Sequence, residues 1–358
     1  MTTLPLPQQR RLATWWHRAR GWLRRGNAPR LRLGLRFLGL LCLGLPGAPA
    51  LAANPSQAAA ANPAQAAGAD SAFSAGPGSH RASLPHGGTT RLYRVHVPAS
   101  YDPQRPLPLV VSMHGGGGSM DIQADERYYG WISAAERHGF IVVFPNGYSR
   151  FRGGHLATWN AGRCCGAARD QGSDDVGFIA ALIDSLRGQW AIDERRVFAT
   201  GMSNGGMMAY RLACELPQRF LAIAAVAGTD NTHQCTPAQA VSVLHIHARD
   251  DERVLYDGGA GKPSRQETDY SSVADTVARW SQRNGCPAAA PQTVLKTDGA
   301  LCEQRAPCRD GSAVQWCSTD GGGHSWPGGT KPRGRSTNAT ALDATEEIWR
   351  FFARQAPR

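Results

Sequence analysis

Lysine is almost missing from this chain: its 358 residues include only Lys262, Lys296 and Lys331. A loop that cradles phosphate closes on Gly-Lys followed by Ser or Thr, and no such triplet occurs, so the glycine runs are not nucleotide sites. Residues 1–52 lack Asp, Glu and Lys altogether, yet hold nine arginines. Those nine supply most of the formal net charge of +11 and leave +2 for the rest of the chain. The basic excess is therefore a property of the amino-terminal segment, and it implies no nucleic-acid partner. Long apolar runs are also lacking, since the stretch from Phe37 to Leu45 is well short of the ~20 residues a membrane span needs. No paired C-x-x-C spacing supports a zinc site, no metal is expected, and no internal repeat is present.

The amino-terminal segment combines a basic region, a short apolar core and the small-residue run Ala48 to Ala53. This order describes a secretion signal over residues 1–52, with cleavage expected after Ala52 and no stable membrane association afterwards. Residues 53–80 are rich in Ala, Pro, Gln and Ser with few large apolar side chains, which predicts a flexible tether. The folded part is expected over 81–358. Eight cysteines remain outside the leader, an even count that suggests disulfides formed outside the cytoplasm. Cys286, Cys302, Cys308 and Cys317 are expected to pair among themselves. Cys164 and Cys165 are expected to pair outward, because adjacent cysteines strain the ring that would join them.

Periodicity predicts strands at Arg91–Val97, Leu107–Met113, Phe140–Phe144, Leu221–Val226, Val241–His247 and Ala313–Trp316. Helical spacing appears at Trp131–Arg137, Asp175–Leu186, Tyr270–Arg283 and Ala341–Arg354. Strands alternating with helices predict an α/β class: a single domain with a mostly parallel sheet flanked by helices.

Against that background Gly201-Met202-Ser203-Asn204-Gly205 stands directly after an apolar run and before a helical one. The pattern G-x-S-x-G in this context places a serine on a tight strand-to-helix turn. A serine hydroxyl is a weak nucleophile near neutral pH, so it needs a base, an acid to orient the base, and donors for an oxyanion. His324 follows three glycines after the last strand, and a carboxylate-rich loop, Ala248 to Val254, follows an earlier one. The chain order Ser, acid, His is that of the α/β-hydrolases. Gly115 and Gly116, in the run His114 to Gly118, and the amide of Asn204 are the candidate oxyanion donors. His245 and His247 share one side of a strand, which reads as packed histidines in preference to a metal pair.

His114 to Gly118, Trp159-Asn160 with Cys164-Cys165-Gly166, Asp174 to Phe178, Gly201 to Met208 and Gly323 to Gly329 together resemble the secreted polyhydroxybutyrate depolymerase and feruloyl esterase family of α/β-hydrolases. The resemblance spans roughly residues 85–355. The family's acid lies in a segment like H-G-T-x-D-x-x-V-P-Y. His247, Asp251, Val254 and Tyr256 keep that spacing and favour Asp251 over Asp250, while Ala248, Arg249 and Leu255 depart from it. The resemblance implies ester hydrolysis through an acyl-enzyme without a cofactor, with Ser203 as nucleophile, His324 as base and Asp251 as acid. Trp159 and Trp326 are the expected pocket residues. The expected substrates are hydroxyalkanoate oligomers or feruloyl and acetyl esters of plant polysaccharide. A serine peptidase of the same fold and a catalytically silent binding protein are the alternatives.

Overall fold

Short apolar runs rich in Val, Ile and Ala are too short for stable helices and too apolar for loops, and here they assemble as neighbouring strands. The computed structural model describes residues 76–264, 268–332 and 339–357, all within one unit, Ala67–Arg358. The expected signal, and the expected tether up to residue 75, lie outside the described residues.

The strands are β1 (Gly78–His86), β2 (Thr89–Val97), β3 (Leu107–Met113), β4 (Ile141–Pro145), β5 (Ile192–Met202), β6 (Ala222–Val226), β7 (Ser242–Ala248), β8 (Gln292–Thr297), β9 (Ala300–Arg305) and β10 (Val314–Thr319). The helices are α1 (Met120–Gln123), α2 (Glu126–Tyr129), α3 (Trp131–His138), α4 (Gly166–Asp170), α5 (Asp175–Arg187), α6 (Asn204–Glu215), α7 (Val273–Arg283) and α8 (Ala344–Ala353). All ten strands form one sheet, ordered β1-β2-β4-β3-β5-β6-β7-β10-β9-β8. The strands from β4 to β10 in that order run parallel, and an antiparallel pair closes each end.

Alternation along the strands sends side chains into two cores. Leu109 and Val111 of β3 join Phe178 and Leu182 of α5 and Met207 and Leu212 of α6 on one face. Val110 points the other way, among Trp131 of α3 and Ile348, Phe351 and Phe352 of α8. The result is a mostly parallel sheet between helical layers, the expected α/β-hydrolase architecture.

Three strands were not expected. Strand β1 starts at Gly78, so the folded part begins before Arg81 and inside the span assigned to the tether. It joins β2 through Gly87-Gly88, both at positive φ. Strands β8 and β9 join through Asp298-Gly299, with Gly299 at φ 87°. Two-residue turns of this kind are strong hairpin signals, and they were present in the sequence. The strands themselves are mostly half-exposed, so their apolar alternation is faint.

Of the disulfides, Cys286–Cys308 and Cys302–Cys317 stay within the expected group of four. Cys164 and Cys165 are bonded to each other, contrary to the expectation of outward pairing. The reason is supply: the other six described cysteines are paired, Cys214 with Cys235, Cys286 with Cys308 and Cys302 with Cys317, so none is left for an outward link.

Candidate active site

Parallel strands aim their carboxyl ends at one edge of the sheet, and a ligand crevice forms there. Strand β3 runs into the glycine loop, β5 into Ser203, β7 into Asp251 and β10 into the loop that carries His324. Four chain segments far apart in sequence therefore meet at one edge.

Ser203 sits between β5 and α6 with φ 54° and ψ −121°, a conformation that side chains other than glycine rarely adopt. Its amide donates to Val226 O at 2.7 Å, which pins the turn to β6. Such a turn demands small neighbours. A Cβ on Gly205 would lie 2.3 Å from Met113 O, and one on Gly201 would lie 2.6 Å from the same oxygen. The glycines of the motif are thus required by close backbone approach.

His324 Nδ1 lies 2.8 Å from Asp251 Oδ2. Because an ionised carboxylate only accepts, Nδ1 carries the proton and Nε2 is left with a free lone pair. Asp251 Oδ1 accepts from the amides of Arg253 at 2.8 Å and Val254 at 3.0 Å. Burial alone would raise the Asp251 pKa; hydrogen bonds from His247 and His324 outweigh it and hold the carboxyl well below its usual range. Asp250 does a different job, accepting from Gly323 N at 2.7 Å and so tethering the histidine loop. Glu252 accepts from His324 N at 3.2 Å. Three consecutive acids therefore hold one loop, and only Asp251 reaches the imidazole ring.

Ser203 and His324 line one cavity of about 570 Å³, together with Gly115, Gly116, Asn204 and Trp326. Gly115 approaches Ser203 so closely that a Cβ there would meet Ser203 Cβ at 3.5 Å. The glycine loop is held from beneath by His114, whose Nδ1 donates to Gly115 O at 2.8 Å while Nε2 accepts from Gly147 N at 3.0 Å. Burial lowers the His114 pKa to about 4, so the ring stays neutral at neutral pH.

Trp159 does not line this cavity, contrary to expectation. It is fully buried, with Nε1 donating to His114 O at 2.9 Å, its amide to Asn204 Oδ1 at 2.7 Å, and its carbonyl accepting from Asn204 Nδ2 at 3.0 Å. A second layer supports it, since Asp175 accepts from Asn160 N at 2.8 Å and from Arg91 at 2.6 Å. Trp326 does line the cavity, its ring edge-on to Tyr129 at 5.2 Å and its Nε1 donating to Thr345 Oγ1.

Several lining residues carried no distinct signal in the sequence: Tyr129, Arg253, Tyr270 and Lys331. Cys165 forms part of this wall, bonded to the buried Cys164, whose Sγ lies 3.9 Å from both Asn204 Nδ2 and Tyr270 OH. The described residues gather one set of potential metal ligands, Cys302, Cys317 and Glu347, but both sulfurs are taken up in a disulfide. No described helix is long and apolar enough to cross a membrane.

Acyl transfer calls for a serine, an imidazole held by a carboxylate and nearby backbone amides, and the cavity brings residues of each kind together. Comparison with known proteins points to esterases. The family model described as Esterase PHB depolymerase matches residues 92–268. The esterase NocK of Nocardia uniformis subsp. tsuyamanensis is 32% identical over 290 residues, 72% of this chain and 79% of that protein. Feruloyl esterase B of Piromyces equi is 29% identical over 64% of this chain, which spans only 42% of that longer protein. Among solved structures, an acetyl xylan esterase from Aspergillus awamori shares the fold with a TM-score of 0.51 at 17% identity, over 76% of this chain and 99% of that one.

Proposed function

The chain belongs to the Esterase PHB depolymerase family and is an esterase, and from that premise we propose that it cleaves its substrate through an acyl-enzyme on Ser203. The observation that carries this reading is the pairing of His324 Nδ1 with Asp251 Oδ2 at 2.8 Å, beside a cavity that both Ser203 and His324 line. His324 Nε2 takes the proton of the Ser203 hydroxyl as Oγ bonds to the ester carbonyl carbon. Negative charge moves to the carbonyl oxygen, where the amides of Gly115 or Gly116 and Asn204 receive it. As the tetrahedral intermediate collapses, the imidazolium passes its proton to the departing alkoxide. Water then repeats the sequence on the acyl-serine and releases the acid. Asp251, ionised and immobile, stabilises the imidazolium in both halves.

The proposed substrates are hydroxyalkanoate oligomers or feruloyl and acetyl esters of plant polysaccharide. A cavity of about 570 Å³ with Tyr129 and Trp326 in its wall supports an acyl group of modest size, aromatic or branched. Secretion is part of the same proposal, supported by the leader-like segment over residues 1–52 and by disulfides in the folded unit. Turnover of p-nitrophenyl acetate and butyrate, methyl ferulate, hydroxybutyrate oligomers and a peptide panel tests the reading, with Ser203→Ala alongside. Ester turnover abolished in the alanine variant is the expected result. Turnover that survives it, or a preference for peptides, overturns the proposal.

A further inference from the structure

Below Asp251, away from the cavity, three aromatic and imidazole side chains form a hydrogen-bonded column that the acyl-transfer steps do not use. Tyr210 OH lies 2.9 Å from His245 Nδ1, His245 Nε2 lies 3.1 Å from His247 Nδ1, and His247 Nε2 lies 2.8 Å from Val254 O. The same His247 Nε2 lies 3.2 Å from Asp251 Oδ2, with both side chains buried.

Donor and acceptor roles follow from one end. A backbone carbonyl and an ionised carboxylate only accept, so His247 Nε2 carries a proton. A neutral His245 donates from one ring nitrogen and accepts at the other, and the Tyr210 hydroxyl and His247 Nδ1 take the complementary roles. Burial pushes the Tyr210 hydroxyl well above its ordinary pKa and His245 well below its own, so the first stays protonated and the second neutral. The column is thus hydrogen-bonded from Tyr210 to His247, and at its Asp251 end His247 Nε2 is the donor.

We propose that His247 is a positioning residue for the acid of the triad, holding Asp251 Oδ2 in line with His324 at the end of a hydrogen-bonded column that starts at Tyr210. The inference rests on the triad reading above. Asp251 Oδ2 is shared between two imidazoles, and rotation of the carboxylate toward either is opposed by the two amides on Oδ1. Other ionisable groups near the chain are Asp230, Arg279 and Arg283 beside Tyr210, Tyr256 beside His247, and Asp250, Glu252 and Arg253 around Asp251.

The test compares His247→Asn, whose amide can replace the Nδ1 hydrogen bond but not the Nε2 donor, with His247→Gln, whose amide nitrogen reaches the Nε2 position. Rates are expressed per serine titrated in an active-site burst, so that misfolded protein does not count. For His247→Asn the expected kcat is lower by on the order of 10-fold with KM unchanged. Its kcat/KM profile should also lose activity at higher pH on the acid side, because an Asp251 anion with one donor fewer holds the His324 proton more strongly. His247→Gln restores both. Tyr210→Phe, which removes one hydroxyl, shifts the acid limb in the same direction with about a 2-fold loss of kcat, and it serves if His247→Asn fails to fold. Wild-type kcat and acid limb per titrated serine in His247→Asn, whatever its melting temperature, overturn the proposal, as does equal loss in His247→Gln. Asp251→Asn is the control: if it keeps full activity the triad reading itself fails, whereas a crippled Asp251→Asn beside a normal His247→Asn removes only the positioning role.

Discussion

Asn204 clasps Trp159 across the floor of the site, its Nδ2 donating to Trp159 O at 3.0 Å and its Oδ1 accepting from Trp159 N at 2.7 Å. The first residue of α6 is thereby tied to the loop that leads to Cys164 and Cys165. The side chain that follows Ser203 works as a structural clamp, while its backbone amide is the one proposed for the oxyanion.

Asn204→Ala should therefore cost both stability and rate. The Trp159 amide loses its acceptor, at about 1–3 kcal/mol, while Trp159 O keeps the amide of Cys165 at 3.1 Å, and the helix start is freed to shift. The expected outcome is a destabilisation of about 1–3 kcal/mol in urea unfolding with a kcat reduced at least ~10-fold. Unaltered stability would show that the clamp is redundant.

Asp251→Asn and Asp250→Asn separate two neighbouring carboxylates by function. Asp251 meets the imidazole, and its loss leaves His324 in the wrong tautomer, so kcat should fall by on the order of 10³–10⁴-fold. Asp250 accepts only from Gly323 N among its described bonds, and an asparagine oxygen can do the same. Its variant should stay within about 3-fold of the parent, well under the cost of misplaced catalytic groups. Steady-state kinetics on p-nitrophenyl butyrate decides between them, and the reverse ranking would move the acid by one residue.

Acid should destabilise the fold before its carboxylates titrate. Burial, the main cause, lowers the His114 pKa from 6.5 to about 4; the hydrogen bond to Gly115 O opposes it and the Arg91 charge adds to it. Between those values the unfolded chain binds a proton that the folded ring refuses, so stability is complete above pH 6.5 and declines as pH falls toward 4. A shift of this size corresponds to about 3 kcal/mol, and buried His245 contributes with the same sign. Urea midpoints at pH 7 and pH 4.5 measure the slope, which His114→Gln should reduce. A flat profile would contradict a neutral buried His114.

Much of this site was legible because its chemistry is written locally. The small residues around Ser203 follow from contacts that a Cβ would violate, as at Gly201 and Gly205. His324 and Asp251 could be ranked by chain order and spacing. Trp159 was misassigned because a tryptophan's identity does not reveal which way it faces; hydrogen bonds to His114 and Asn204 hold it under the floor instead of in the pocket. The β8–β9 hairpin was missed because its residues are half-exposed and only Asp298-Gly299 marks it. The donor role of His247 Nε2 depends on Val254 O, and no sequence pattern carries that contact.

Non-reducing peptide mapping should recover Cys214–Cys235, Cys286–Cys308 and Cys302–Cys317 as crosslinks and Cys164–Cys165 as one closed pair within a single peptide. The three longer links close loops of 15 to 22 residues, and a closure of that size contributes about 3 kcal/mol each. Thiol reduction should therefore lower the melting temperature markedly. A crosslink from Cys164 or Cys165 to a distant cysteine would restore the outward pairing expected from sequence.

The central claim is that Ser203 becomes acylated with His324 as its base. The most direct measurement mixes the protein rapidly with p-nitrophenyl butyrate, follows the first turnover, and maps the acylated peptide by mass spectrometry after acid quench. The account predicts a p-nitrophenol burst near one equivalent per site and a single butyryl group on the peptide containing Ser203, absent in Ser203→Ala and strongly slowed in His324→Ala. A butyryl group on any other residue, or ester turnover by Ser203→Ala at the parent rate, would contradict it.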